Sequence, residues 1–164
     1  MPKERNVNIE ERQFVVFSLQ SEEFAIDIMK VREIIKLISI TKLPQTPEFV
    51  EGIVNVRGEI IPVISLRKRF GLADNGDDSL TRIVIVELTE GSLTGLIVDE
   101  VSEVLRLSAT AIEPPPQGID GLRTEFIEGI GKVDNRLLVI LRMEKLLNTS
   151  EKLALEAVIP RETD

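Results

Sequence analysis

Histidine and cysteine, the two side chains that do most protein chemistry near neutral pH, are both missing from this sequence. Their absence removes Ser-His-Asp and Cys-His nucleophilic catalysis, phosphohistidine chemistry, thiolate metal sites and most zinc sites. What remains is carboxylates, amines, hydroxyls and guanidinium groups. GSLTG at 91–95 lacks the P-loop pattern and its Lys-Ser/Thr end. DNGDD at 74–78 resembles a loose calcium loop but lacks the spaced ligands and distant Glu of an EF-hand. Paired carboxylates are abundant, as in any acidic chain, and none forms a recognisable constellation. The residues point to no catalytic site, no metal site and no cofactor.

The side chain that stands out is Arg57, in FVEGIVNVRGEIIPVISL at 49–66. Arg57-Gly58 is a polar break between two runs rich in β-branched residues, the pattern of a hairpin whose glycine supplies positive φ. Arg57 then stands exposed at the tip, as a solvated turn residue or as a contact. Pro62 cannot donate a ladder hydrogen bond, so its strand is expected to be an edge or to carry a bulge. Such an edge suits docking or is merely protected by the proline.

These residues sit in a segment that occurs twice. Residues 49–70 align without a gap on 126–147, with Phe49/Phe126, Glu51/Glu128, Gly52/Gly129, Ile53/Ile130, Val56/Val133 and Lys68/Lys145 identical. Arg57-Gly58 falls on Asp134-Asn135, where Asn tolerates the left-handed region. Upstream, FAIDIMKVREII (24–35) lies on TGLIVDEVSEVL (94–105), each preceded by an apolar run at 13–19 or 82–88. Two matches in the same order indicate duplication: lobe one at about 14–70, a connector at 71–81, lobe two at about 82–147, and a tail at 148–164. Phe49 and Phe126 are expected in equivalent buried places. The shared glycine at Gly52 and Gly129 implies a backbone requirement or, at Gly52, an approaching partner.

About five short strands per copy suit a small closed barrel, which leaves no edge to aggregate. Each copy ends in a short helical turn (LRKRF, MEKLL). PPPQG at 114–118 marks a loop. In the tail, Ser150 is a plausible N-cap, with Leu153, Ala154, Ala157 and Val158 on one helical face. A unit of about 60 residues is marginal alone, so two copies should share a core with a groove between them. Glu33 and Glu103 occupy matching steps. Glu33 can pair with Arg57, a pairing that Asp134 cannot reproduce. Val31, Val98, Val101 and Val104 border the third strands, most as core and one or two lining the groove.

Composition narrows the partners. A formal charge of −8 argues against nucleic acid, and six phenylalanines with no Trp or Tyr leave little for stacking bases or sugars. The charged start, MPKERNVNIEER, does not read as a signal peptide, and no run approaches 18 apolar residues; a cytosolic protein is expected.

FAIDIMKVREI, LPQTPEFVEGIVNVRGEIIPVISLRKRFGL, GLIVDEVSEVL and FIEGIGKVDNRLLVILRMEKLL together closely resemble the CheW family of chemotaxis coupling proteins, over about residues 13–148. The NVRGEIIPVISLR stretch is the most specific part. The resemblance implies an all-β fold of two interlocked five-stranded SH3-like β-barrels. It implies an adaptor joining the cytoplasmic tip of methyl-accepting chemoreceptors to the regulatory domain of the histidine kinase CheA, cytoplasmic and recruited to membrane-associated receptor arrays. It places Val31, Glu33, Val98, Val101 and Val104 at a receptor-binding groove, and Gly52, Asn55, Arg57, Gly58 and Pro62 at a kinase-binding face. The same fold ends CheA and begins CheV, but a chain of this length without histidine is neither a whole kinase nor long enough for a receiver domain. Two rival readings are an SH3-like module in another two-component signalling complex, which would want an aromatic groove, and a small-molecule enzyme, which would want a polar pocket with perturbed groups.

Overall fold

The structure, a computed structural model, describes residues 11–73, 76–116, 124–148 and 151–152. The first apolar run forms strand β1 (Glu11–Leu19), which turns through Gln20-Ser21 into β2 (Glu22–Asp27). Asp27 caps a single 3-10 turn by accepting the Met29 N–H, and the chain enters β3 (Val31–Lys36). The Arg57-Gly58 hairpin is β4 (Val50–Val56) and β5 (Glu59–Ser65), followed by α1 (Leu66–Arg69) with Ser65 as its N-cap. The second copy repeats the series: β6 (Arg82–Thr89), β7 (Ser92–Val98), β8 (Glu100–Ser108), a two-residue β9 (Ile112–Glu113), β10 (Ile127–Val133) and β11 (Arg136–Leu141). A 3-10 turn at Met143–Lys145 stands where α1 stands in the first copy.

The strands form two sheets, ordered β8-β1-β2-β11-β10-β9 and β3-β6-β7-β5-β4. Because β6 is the twin of β1 and β7 of β2, the two orders are the same arrangement with the copies exchanged. Each opening hairpin leaves its own copy and completes the sheet of the other, through parallel pairing of β2 with β11 and of β7 with β5. Even the short β9 has a counterpart, the isolated bridge between Thr41 and Ile53. The sequence copies at 14–70 and 82–147 are therefore not the spatial units: each SH3-like barrel takes strands from both.

The apolar pattern explains why this exchange is stable. Phe14, Val16, Ala25, Leu107, Leu138 and Ile140 fill one barrel, and Val54, Val56, Ile61, Val63, Ile83 and Ile85 fill the other. Alternation alone would leave the opposite face of β6 in water. Instead Val84, Val86 and Leu88 join Phe17, Leu19, Ile26, Phe126 and Leu146 in a third and larger cluster between the sheets. β1 and β6 thus bury both faces and read as continuous apolar runs.

Around this cluster the rings of Phe17, Phe24, Phe70 and Phe126 follow one another at centroid spacings of 5.9, 6.0 and 5.4 Å. Phe126 is buried and its twin Phe49 half-buried, and the Arg69 guanidinium lies over both rings at 4.8 and 4.9 Å. Arg69 also donates to the Leu146 carbonyl at 2.7 Å and reaches Glu151 at 3.5 Å, so one side chain ties the copies together where each enters its hairpin.

At the start of the tail Asn148 Oδ1 accepts the Glu151 N–H at 2.7 Å while Glu151 Oε1 accepts the Asn148 N–H at 2.8 Å. This reciprocal pair is a capping box, available to Asn148 because Glu151 stands three residues on. Ser150, Leu153, Ala154, Ala157 and Val158, parts of the connector at 74–75 and the 117–118 end of PPPQG lie outside the described residues.

Candidate functional site: the hairpin tip and the inter-barrel edge

Arg57 and Gly58 take φ of 52° and 90°, the left-handed pair that a two-residue hairpin loop requires. Asn55 stabilises the turn by accepting the Gly58 N–H on its Oδ1 at 2.8 Å. This geometry throws Arg57 outward, 73% of its side chain exposed, across to Glu33 on β3, with Arg57 Nη2 donating to Glu33 Oε2. The expected pairing is present. It hooks the β4–β5 hairpin onto β3, the strand at the far end of the same sheet. Glu33 is half-buried rather than exposed.

The second copy builds the same pair by another route. Asp134 takes φ of 53°, as its twin Arg57 does, while Asn135 does not adopt positive φ, so only the first of the two left-handed positions is repeated. Glu103 is nevertheless paired: Arg136, two residues beyond Asp134, donates to Glu103 at 2.6 Å and grips Glu23 through two bonds of 2.9 Å. These carboxylates raise the guanidinium above its ordinary pKa. Sequence reasoning missed Arg136 because it compared only the aligned position. A search for any cation near the second turn would have found it. The copies differ, then, in where the cation stands. The Arg57 pair is at an exposed tip, whereas Arg136 is anchored along a strand.

Gly52 and Gly129 answer the glycine question. Each sits at a register shift in its strand. A Cβ at Gly52 would lie 2.1 Å from the Thr41 carbonyl oxygen, and φ is +144°. At Gly129 a Cβ would lie 2.8 Å from the Glu113 oxygen. The absent side chain makes room for the chain's own bridging strand, and Gly52 is buried. Pro62 also departs from expectation. β5 lies between β7 and β4 and is not an edge, and the bulge is in β4 between Val50 and Gly52. The missing N–H is tolerated because parallel pairing with β7 begins only at Val63. Pro62 is itself buried. Of the five hairpin positions singled out, Asn55, Arg57 and Gly58 are on the surface, and Gly52 and Pro62 shape the hairpin from within.

The groove valines separate in the same way. Val98 is fully buried, Val31 and Val101 pack half-buried against the central cluster, and Val104 is 50% exposed on β8. Ile34, the twin of Val104, is 39% exposed on β3 and was not singled out from the sequence. A further clamp went unread. Arg67, at the end of the first copy, binds Asp99 of the second through bonds of 2.7 and 2.6 Å and the Ala73 carbonyl at 2.6 Å. Partial burial pushes the Asp99 carboxyl up, but Arg67 and the Gln20 N–H outweigh it and hold it below its ordinary range.

A cleft of about 500 Å³ is lined, among the described residues, by Arg69, Glu125, Glu144, Lys145, Leu147, Asn148 and Lys152, a mostly charged set. Among the described residues no group of acids could hold a metal ion, though Asp74 and Asn75 of DNGDD lie outside them.

Residues 13–151 match the CheW-like domain family. The chain is 39% identical to Chemotaxis protein CheW of Treponema pallidum, covering 88% of this chain and 87% of that protein. It is 38% identical to Chemotaxis protein CheW of Klebsiella aerogenes, covering 85% and 84%. Its fold matches the crystal structure of scaffolding protein TtCheW from Thermoanaerobacter tengcongensis with a TM-score of 0.79 and 46% identity, covering 87% of this chain and 96% of that one. With that family match, the likeness to relatives along most of their length and the interlocked barrels in agreement, the chain belongs to the CheW-like domain family.

Proposed function

We propose that this protein is a non-catalytic scaffold of chemotaxis signalling that joins the cytoplasmic tip of chemoreceptors to the regulatory domain of a CheA-type histidine kinase. The observation that carries the reading is the Arg57–Glu33 hook. Arg57 stands exposed on a stiff two-residue turn and reaches a half-buried Glu33 on the edge strand β3. A pair whose cation is this exposed contributes little to stability. A guanidinium held in place by its own turn is well suited to a partner's carboxylates.

In this reading Asn55, Arg57 and Gly58 form the kinase-facing surface, with Gly52 and Pro62 maintaining its shape. Val31, Glu33, Val101 and Val104 flank the receptor-facing groove, and Val98 supports it from the core. The whole of residues 14–147 acts as one unit, working on the cytoplasmic side at receptor arrays. No helix among the described residues is long and apolar enough to cross a membrane. Binding both partners links receptor state to kinase state by shared free energy, with no chemistry of its own. Every phenylalanine is buried or half-buried, and there is no Trp or Tyr. Docking of proline-rich ligands on an aromatic ridge is therefore disfavoured.

The test is a binding titration of the full chain against a receptor-tip fragment and a kinase regulatory domain from the same organism. Binding to both, with Arg57→Glu weakening the kinase arm by about tenfold or more, is the expected result. Failure to bind either partner overturns the proposal.

A further inference from the structure

Among the described residues the chain passes between the two sheets twice, from β2 to β3 and from β7 to β8. The repeat makes these crossings twins: with 24–35 laid on 94–105, Met29 of the first falls on Asp99 of the second. Their surroundings differ. Met29 is 85% exposed and lies in a 3-10 turn that has no buried residue. Asp99 is the single residue between β7 and β8, and its carboxylate has partners in both barrels. From barrel one, Arg67 on α1 donates through Nε to Oδ1 and through Nη2 to Oδ2. From barrel two, the Gln20 N–H of the β1–β2 turn donates to Oδ2 at 2.8 Å, and the Asp99 N–H reaches the Ser18 carbonyl of β1 at 3.1 Å. The Ala73 carbonyl takes the third guanidinium nitrogen, so the fork that grips Asp99 is fixed in direction.

The first crossing also carries an Asp–Arg pair, but of another kind. Asp27 accepts the Met29 N–H and binds Arg12, which also binds Glu128. Asp27, Arg12 and Glu128 stand on β2, β1 and β10, all strands of one sheet. This pair braces barrel two and spans nothing. The turns after the two hairpins are unequal as well. Arg67 and Arg69 of α1 align with Glu144 and Leu146, so neither arginine has a counterpart, and Leu146 offers only the carbonyl that Arg69 takes. The apolar cluster between the sheets resists their separation but has no directional preference. Direction comes from the hydrogen bonds that cross from one barrel to the other.

We propose that Asp99 is the positioning residue of the joint between the barrels: one carboxylate, shared by Arg67 of barrel one and the Gln20 amide of barrel two, sets the angle between them. Sharing needs two accepting oxygens, which a carboxylate has and a side-chain amide lacks. Because Asp99 directly precedes β8, the same joint sets where Val101 and Val104 stand relative to Val31 and Glu33 on β3. That consequence for a receptor-facing groove rests on the adaptor reading; the joint itself does not.

The test is a distance measured across the joint. The chain has no native cysteine, so Glu59→Cys on β5 and Lys132→Cys on β10, both exposed, put one spin label on each barrel of the full chain. Distances are read by double electron–electron resonance with Asp99, Arg67 and Asp27 intact and in three further variants, each checked for folding by circular dichroism. Asp99→Asn and Arg67→Met should each shift or broaden the distribution by several ångströms. Asp27→Ala should lower the melting temperature and leave the distribution where it was, because its partners lie within one barrel. If Arg67→Met does not fold, Arg67→Lys, which keeps the charge without the fork, takes its place with the same expectation. A distribution unchanged in either Asp99→Asn or the Arg67 variant, or changed equally in Asp27→Ala, would overturn the proposal. The Asp99 and Arg67 variants should also weaken binding of a receptor-tip fragment several-fold in titration. A native chain that binds no receptor tip would remove the adaptor reading and leave the joint to the distances; a changed distance with receptor affinity unaltered would overturn the link to the groove.

Discussion

A guanidinium at the tip of a tight turn and another anchored on a strand make chemically similar ion pairs with opposite consequences. Arg57 is exposed and bonded to one acid, so Arg57→Ala and Glu33→Ala should each shift stability by less than about 1 kcal/mol. Their effect should fall on binding to kinase or receptor, measured by titration beside a denaturant melt. A large drop in melting temperature for Arg57→Ala, with binding retained, would make the pair structural. Gly52 behaves oppositely. An alanine there meets the Thr41 carbonyl and must hold φ of +144°, whereas Gly129 meets a looser contact without the positive φ. Gly52→Ala should cost about 2 kcal/mol or more, and Gly129→Ala less, in urea unfolding. Equal costs would mean that bulge geometry alone, not the bridging Thr41, sets the requirement. Asp99 supplies a pH signature. Its carboxyl titrates below the ordinary range when folded, so the Arg67–Asp99 clamp stabilises fully above about pH 4 and is lost as pH falls through the depressed value. Asp99→Asn should lose about 2 kcal/mol at neutral pH and flatten the decline in stability on acidification. An unchanged acid profile would show that Asp99 contributes nothing to it.

Elements were legible where their causes are local. The strands at 13–19, 82–88 and on either side of Arg57-Gly58 follow from β-branched runs and a turn glycine, and the structure has all of them. The short helical turn after each hairpin was legible too. Pro62 was misread because a proline in a strand suggests an edge. Only the sheet order reveals that the neighbouring ladder starts one residue later. The Asn148–Glu151 capping box went unread, although the spacing of three residues is visible in the sequence. Asn148→Ala should therefore remove about 1 kcal/mol and speed amide hydrogen exchange at residues 151–152; unchanged exchange there would show that the capping box does not hold the turn. Val98, placed at the groove by the resemblance, is fully buried for a related reason. Alternation tells which residues share a face, but only the packing of the second barrel tells which face is covered.

At the scale of the molecule, the duplication was readable from two aligned segments, whereas the exchange of hairpins between copies came only as the interlocking that the family resemblance implies. Nothing in the sequence distinguishes β2 pairing with β11 from β2 pairing with β5, because twin strands carry equivalent apolar patterns. The distinction has a measurable consequence. Each barrel draws strands from both sides of the connector, and the largest cluster joins Phe17, Leu19 and Ile26 to Phe126, Leu141 and Leu146. A fragment ending in the connector would keep β3, β4 and β5 but lose β6 and β7, which separate β3 from β5 within their sheet. Its hairpin β1–β2 would have no sheet to join. A two- or three-stranded remnant without its covering face is marginal in water. Cleaving the chain between residues 73 and 76 should therefore yield two pieces that are each unfolded alone. Mixed together, they should recover native circular dichroism and a single cooperative transition whose midpoint rises with concentration. Cooperative unfolding by either piece alone would show that a copy can close its own barrel, and the exchanged hairpins would then be a preference of the intact chain, not a requirement of the fold.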